Sequence, residues 1–147
     1  MKKDFEFLPH TADIQMRAYG TTKEELFCNA LNGMFQSIGP HADGCEIKND
    51  RLVCVKLSER QVIEVRAAQL DLLLVDFLSE ALYLSDIHNQ AYFDADMNEL
   101  TDKHVKATLH GVNVTSFDVV EIKAVTYHEL EVKQVDGIWQ ATVVFDI

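Results

Sequence analysis

The carboxylates at the end of the chain are the residues best suited to chemistry in this sequence. The chain closes with Val143-Val144-Phe145-Asp146-Ile147, so Asp146 lies directly beside the terminal carboxylate. Two negatively charged groups this close together repel each other unless a cation joins them. A hard cation such as calcium accepts carboxylate and carbonyl oxygens, and its third ligand would come from elsewhere in the chain. The alternative is that Asp146 is a solvated residue at the end of a strand.

The orientation of Asp146 follows from a predicted hairpin at the end of the chain. Asp136-Gly137 separates two strand-like segments and is typical of a type I′ turn, in which both central residues have positive φ. Counting outward from this turn predicts three opposed pairs. They are Val135 with Ile138, Glu131 with Thr142, and Tyr127 with Asp146. In this register Asp146 points away from the more apolar face of the hairpin.

Several common catalytic and metal-binding motifs are absent from the sequence. The six glycines are scattered and form no phosphate-binding loop, no GxSxG segment occurs, and the six histidines show no paired ligand spacing. Residues 94–98 begin like a calcium-binding EF-hand loop. However, its sixth position is Glu99 instead of glycine, and its twelfth is Val105 instead of glutamate. We interpret residues 94–98 as a solvated turn between strands.

Two helices are predicted between the first strands and the C-terminal hairpin. Thr22 and Glu25 form a capping box, which begins a helix with one apolar face that continues to Ile38. Gly39-Pro40 then ends it, because glycine tolerates a left-handed cap and proline cannot continue a helix. The second helix is predicted from Gln69 to Leu84, and apolar residues cover so much of its circumference that we expect it to be buried at the centre.

The remaining patterns predict strands and the fold class. The predicted strands are Phe5–Leu8, a segment alternating from Ile14 to Tyr19, Leu52–Leu57 and Val62–Ala67 joined by a short turn at residues 58–60, Tyr92-Phe93, and Val105–Leu109. Strands at the start, helices in the middle and hairpins at the end indicate an α+β fold. We expect a single domain over residues 1–147, with mostly antiparallel sheet and two main helices packed against it.

Composition limits the partners and the location of the protein. The net charge is −11, so direct, tight nucleic-acid binding is not expected, and a basic protein or a metal cation is the better partner. The three cysteines show no CxxC spacing, and we expect reduced thiols in the cytoplasm. The N-terminus lacks a signal-peptide pattern. The longest apolar stretch, residues 72–75, is far shorter than the ~20 residues that span a membrane, so no membrane partner is expected.

Three segments of the chain resemble the signature sequences of the archease family. They are His10-Thr11-Ala12-Asp13-Ile14, Glu121-Ile122-Lys123-Ala124-Val125-Thr126-Tyr127-His128, and the ending Phe145-Asp146-Ile147. Residues 76–83 resemble the central helix of the family, so the match runs in order over nearly the whole chain. The resemblance implies an accessory protein of the RtcB-type RNA ligase, not an enzyme. That ligase joins RNA ends bearing a 2′,3′-cyclic phosphate or 3′-phosphate to a 5′-hydroxyl, as in tRNA splicing, and the accessory protein promotes its guanylylation and multiple turnover.

The resemblance also implies a metal site and a functional surface. It assigns Asp13, Asp146 and a terminal oxygen of Ile147 as ligands of calcium, with magnesium or manganese as other hard cations. His10 and Lys123 fall on motif positions of the functional, partner-facing surface. For His10 the alternative is a turn residue that packs against the strand entry, and for Lys123 it is a solvated lysine on a strand.

Two other functions remain open at this point. One is a small metal-dependent hydrolase that uses Asp13 and Asp146 as ligands, although no histidine or glutamate is evidently placed as its general base. The other is a general chaperone-like binding protein. That function predicts large exposed apolar patches, whereas the core-facing periodicity explains most apolar residues in this sequence.

Overall fold

The computed structural model describes residues 3–10, 12–117 and 121–147. Within these residues the chain forms eleven strands and two helices. In chain order they are β1 (Phe5–Leu8), β2 (Ile14–Gly20), α1 (Lys23–Gln36), β3 (Pro40–His41), β4 (Cys45–Lys48), β5 (Arg51–Cys54), β6 (Glu59–Arg66), α2 (Leu70–His88), β7 (Gln90–Leu100), β8 (His104–Asn113), β9 (Ser116–Phe117), β10 (Ala124–Val135) and β11 (Ile138–Asp146).

Two antiparallel sheets contain most of the strands. The first sheet has four strands in the order β1-β2-β11-β10, and the second has three in the order β6-β8-β7. Two short pairs, β3 with β9 and β4 with β5, lie outside these sheets. All the pairings are antiparallel. The α+β class predicted from the sequence, with mostly antiparallel sheet and two main helices, is therefore confirmed.

Both helices contact strands of both sheets. Helix α1 packs on β2 in the first sheet and on β7 in the second, and α2 packs on β10 and β6. The ring of Phe35 meets Tyr92 of β7 edge-on, with the ring centroids 5.5 Å apart. On the other side of α1, a Cβ at Gly33 would lie only 2.5 Å from the Sδ of Met16. One hydrophobic core therefore includes both helices and the inner faces of both sheets.

The helix ends agree with the local sequence signals. The Thr22 hydroxyl accepts the backbone N–H of Glu25 at 3.1 Å, which satisfies a donor of the first turn. Helix α2 extends to His88, one turn beyond the predicted Leu84, and ends where Asn89 adopts a left-handed conformation with φ 54°. In the described part of the chain, neither helix is long and apolar enough to cross a membrane.

Two predictions about strands are wrong. The strands near residues 52–57 and 62–67 do not form a hairpin, because β5 pairs with β4 and β6 pairs with β8. Residues 94–98 are not a turn but part of β7, where Ala95 is buried and Asp94 and Asp96 are exposed. Strand β6 pairs with the more distant β8, whereas β5 and β7 each form a hairpin with a neighbouring strand. The acidic residues of β7 face solvent on the outer side of the second sheet, which an exposed sheet face tolerates.

The cysteines also differ from the expectation. Cys45 and Cys54 are opposed in the β4–β5 pair and are joined by a disulfide. Cys28 remains a free thiol, and burial raises its pKa to about 11. The prediction of three reduced thiols is therefore wrong for Cys45 and Cys54. Their juxtaposition depends on the β4–β5 hairpin, which the sequence analysis did not predict.

Candidate functional site

Strand β11 carries the end of the chain through the middle of the first sheet. Its residues 141–145 are all buried, while Asp146 is exposed. The pairing with β2 places Phe145 opposite Ile14. One step further in the same register brings Asp146 beside Asp13, which immediately precedes β2. The backbone register therefore places the two predicted carboxylate ligands at the same end of the sheet.

The other neighbour of β11 brings Lys123 to the same end. Strand β10 begins with Ala124 opposite Asp146, and the backbone N–H of Lys123 donates to the backbone carbonyl of Asp146 at 2.7 Å. The side chain of Ile147 packs against the core, which holds the terminal residue at this place. We call this group, made of Asp13, Asp146, the terminal carboxylate of Ile147 and Lys123, the acidic corner.

His10 lies beside the acidic corner and bridges two carboxylates. Its Nδ1 is 3.7 Å from Oδ2 of Asp13, and its Nε2 is 3.4 Å from Oε2 of Glu129. Only 18% of the His10 side chain is exposed, and Nδ1 is buried without a hydrogen-bond partner. Gln15 donates from Nε2 to the same Glu129 oxygen at 2.9 Å. His10 therefore packs between β10 and the entry of β2.

The register of the last hairpin is only partly as predicted. Val135 opposes Ile138 and Glu131 opposes Thr142, but a bulge between Thr126 and Glu131 shifts the pairing. Within the bulge, Glu129 has a φ of 53°. The partner of Asp146 is therefore Ala124, and the predicted opposition of Tyr127 and Asp146 is wrong.

The bulge redirects the side chain of Tyr127. Its hydroxyl donates to Oδ1 of Asp76 on α2 at 2.9 Å, and this hydrogen bond raises the pKa of Tyr127. Tyr127 thus fastens the bulge to the helix and does not line the acidic corner.

Glu129 and Gln15 are the neighbours of this site that the sequence analysis missed. The sequence signal for Glu129 was its position directly after the Glu121–His128 segment. The bulge that turns it toward His10 contains no glycine, the residue that most often marks a bulge with positive φ.

The donor set of the acidic corner fits a hard cation. It consists of two carboxylates and the terminal carboxylate, all oxygen donors of the kind that calcium and magnesium prefer. In residues 3–10, 12–117 and 121–147, no cluster of three or more His, Cys, Asp or Glu side chains is arranged as a metal site. A cation here would therefore need the terminal oxygens in addition to Asp13 and Asp146.

The electrostatics of the corner differ from those of a second acidic cluster. On the outer face of the second sheet, His104 lies 2.6 Å from Glu64 and 3.2 Å from Glu99, and its hydrogen bond lowers the pKa of Glu64. At the corner, the histidine contact is longer, with His10 Nδ1 3.7 Å from Oδ2 of Asp13, and Asp146 forms no ion pair with a described side chain.

A family model matches residues 5–147 of this chain, and its description is the Archease protein family. The chain is 37% identical over 153 residues to a protein named archease from Methanosarcina mazei, covering 99% of this chain and 97% of the relative. It is 34% identical to a protein of the same name from Pyrococcus furiosus, covering 99% of each.

Two solved structures resemble the fold. A solution structure of a protein from Methanobacterium thermoautotrophicum superimposes with a TM-score of 0.74 at 29% identity, covering 98% of this chain and 99% of that one. A crystal structure from Thermotoga maritima, described as an archease and possible chaperone, superimposes with a TM-score of 0.61. Its identity is 20% over the whole chain, so this second likeness concerns the fold alone.

Proposed function

This chain belongs to the archease family, and on that premise we propose that it is a non-catalytic accessory protein of an RtcB-type RNA ligase. In this role it promotes guanylylation of the ligase and thereby multiple turnover in tRNA splicing and RNA repair. We place this activity in the cytoplasm. The observation that carries the proposal is the acidic corner, where three strands bring Asp13, Asp146 and Lys123 together with the chain terminus.

The corner supports a hard-cation site within this function. Asp13, Asp146 and a terminal oxygen of Ile147 would hold the ion, with calcium, magnesium or manganese as candidates. When bound, the ion supplies positive charge that relieves the repulsion among these oxygens. The backbone bond from Lys123 to Asp146 and the packing of Ile147 keep the ligands in place.

The charge of the protein supports a basic protein as the docking partner. A ligase that binds RNA must display a basic surface, and this chain carries a net charge of −11. Long-range attraction between such surfaces speeds encounter and weakens with added salt. The side chain of Lys123, exposed beside the carboxylates, is then available to contact a phosphate or a carboxylate of the ligase.

Multiple-turnover ligation by the partner ligase tests the proposal. Asp13→Asn, Asp146→Asn and Lys123→Ala should each reduce the stimulation at least about tenfold at fixed ionic strength. Asp50→Asn is the matched control, because it removes one exposed carboxylate on the β4–β5 turn, away from the corner. If all three corner variants fold and stimulate as well as the wild type, the proposal is wrong.

Calcium titration by calorimetry tests the metal site separately. We expect Asp13→Asn to weaken calcium binding at least about tenfold and Asp50→Asn to leave it unchanged. Residues added after Ile147 should also weaken binding, because they remove the terminal carboxylate. Equal calcium affinity in wild type and Asp13→Asn would exclude Asp13 as a ligand.

An assay of the protein alone separates this function from the alternatives. Metal-dependent hydrolysis of nucleotides or phosphoesters without a ligase would favour the hydrolase. Suppression of aggregation of unrelated unfolded proteins, without any effect on ligation, would favour the chaperone-like binder.

A further inference from the structure

The disulfide between Cys45 and Cys54 belongs to a hairpin that stands apart from both main sheets. Strands β4 and β5 pair with each other and with no other described strand. The two Cα atoms are 4.1 Å apart, the close spacing of a non-hydrogen-bonded antiparallel pair. Non-hydrogen-bonded positions recur at every second residue, so Leu52, two residues before Cys54, is the next one. Its backbone N–H and carbonyl therefore also point out of the hairpin.

Those outward backbone groups attach the hairpin to α1. The side chain of Gln36, at the end of α1, accepts the N–H of Leu52 at 2.8 Å and donates to its carbonyl at 3.1 Å. Arg51 adds a looser attachment, with its guanidinium 4.1 Å from the ring centroid of Phe5 and 3.7 Å from Asp4. The position of β5 and the conformation of Gln36 are therefore coupled.

Gln36 also lines a cavity together with Asp13 of the acidic corner. A cavity of about 430 Å³ has Gln36 and Ser37 on one wall and His10 and Asp13 on another. If β5 becomes more mobile, Gln36 loses its fixed partner, and the wall of the cavity that Asp13 also lines becomes more mobile with it. No other covalent link in the described part of the chain holds this segment.

The disulfide lies at the surface of the protein. Both cysteines are partly exposed, and a cavity of about 390 Å³ lined by Cys45, Cys54 and their neighbours opens beside them. Disulfides in cytoplasmic proteins are commonly transient or redox-sensing, since thiols there are kept reduced. This step rests on the cytoplasmic function proposed above.

We propose that the Cys45–Cys54 pair is a reversible redox clamp, which fixes the β4–β5 hairpin and, through Gln36, one wall of the cavity beside Asp13. A cellular thiol such as glutathione attacks one sulfur and breaks the Sγ–Sγ bond through a mixed disulfide. A second glutathione then releases the second cysteine thiol. Two glutathione molecules supply two electrons and two protons and leave as one glutathione disulfide, and oxidation reverses these steps.

Redox titration with thiol trapping tests the reversibility. The protein is equilibrated in buffers stepped from oxidised glutathione alone to a large excess of reduced glutathione, alkylated, and weighed by mass spectrometry. We expect one alkylated cysteine, Cys28, at the oxidising end and three at the reducing end. Three alkylated cysteines in every buffer, or one in every buffer, would overturn the proposal.

Amide hydrogen exchange tests the clamp itself and requires neither a metal nor a ligase. We expect the Leu52 amide to exchange at least tenfold faster in the reduced protein than in the oxidised one, while Val143 in β11 does not change. Cys45→Ser/Cys54→Ser should match reduced wild type in every buffer, and Cys28→Ser should match wild type.

The role of Gln36 has its own variant. Gln36→Ala should speed exchange at Leu52 in the oxidised protein without altering the count of free thiols. Equal exchange at Leu52 in oxidised and reduced wild type would overturn the clamp, whether or not the double variant folds. Unchanged exchange in Gln36→Ala would overturn the link to the cavity wall. These measurements do not involve the ligase. A negative result here would therefore overturn the clamp without bearing on the proposed function, and a negative ligation result would do the reverse.

Discussion

Two hairpins in this chain close through the same kind of turn but are held to the protein in opposite ways. Asp136 and Gly137 have φ values of 52° and 79°, and Asn49 and Asp50 have 51° and 63°, as a type I′ turn requires. The first turn joins β10 to β11, which runs through the middle of the four-stranded sheet. The second joins β4 to β5, which pair only with each other and carry the disulfide.

The difference shows that turn chemistry closes a hairpin but does not hold it in place. Strand β11 is held by an unbroken buried run from Ala141 to Phe145, and burial of apolar surface is the main favourable term in folding. The β4–β5 hairpin leaves Ile47 and Val53 exposed. Its attachments are the buried Leu52, the hydrogen bonds from Gln36, the contacts of Arg51 with Asp4 and Phe5, and the covalent bond.

The largest expected effect is in the buried hairpin. Phe145→Ala should lower the free energy of unfolding by roughly 3–5 kcal/mol, because it empties a fully buried site in the core. Denaturant unfolding measures this loss. The matched control is Val55→Ala just after β5, where the side chain is 97% exposed and stability should not change. A similar loss in both variants would remove the contrast between the hairpins.

Loss of the disulfide should have a smaller effect on global stability. Cys45→Ser/Cys54→Ser should lower the free energy of unfolding by at most roughly 3 kcal/mol, the scale for closing a short loop. Wild type in excess reductant should show the same unfolding midpoint. A loss as large as that of Phe145→Ala would mean that the hairpin and the core unfold as one unit.

Two glycine variants compare the hairpins at equal local strain. Gly137 and Gly44 have φ values of 79° and 77°, and a Cβ at either would meet no atom within 4 Å, so an alanine would be strained by φ alone. We expect Gly137→Ala to cost roughly 1–2 kcal/mol of global stability. Gly44→Ala should lower the global free energy of unfolding by less, because Gly44 precedes the β4–β5 hairpin, which can open locally while the core stays folded. Denaturant unfolding measures both losses, and equal losses of unfolding free energy in the two variants would contradict the difference between the hairpins.

The smallest expected effect is a gain in the β4–β5 turn. Asp50→Gly gives this turn the Asn-Gly sequence that type I′ geometry favours. We expect slower exchange of the Leu52 amide in the reduced protein, by a few-fold, with no change in global unfolding. Faster exchange would contradict this. It would show that the extra conformational entropy of glycine in the open hairpin outweighs the strain removed from the positive φ of residue 50.

Local sequence signals determined the elements whose stabilising contacts lie within a few residues. The capping box at Thr22, the apolar stripe of α1, the broad apolar surface of α2 and the Asp136-Gly137 turn each predicted the element that forms. The α+β class was predictable because these elements occur in a diagnostic order along the chain.

Only the tertiary structure decided the contacts that join distant segments. The pairing of β6 with β8 and the bulge that places Ala124 instead of Tyr127 opposite Asp146 each depend on partners outside the local pattern. The same holds for His10 between Asp13 and Glu129. A two-residue turn and a helix cap are satisfied by neighbouring backbone groups. A strand register or a bulge is instead selected by which side chains the whole core can bury at once, and a single local segment does not contain that information.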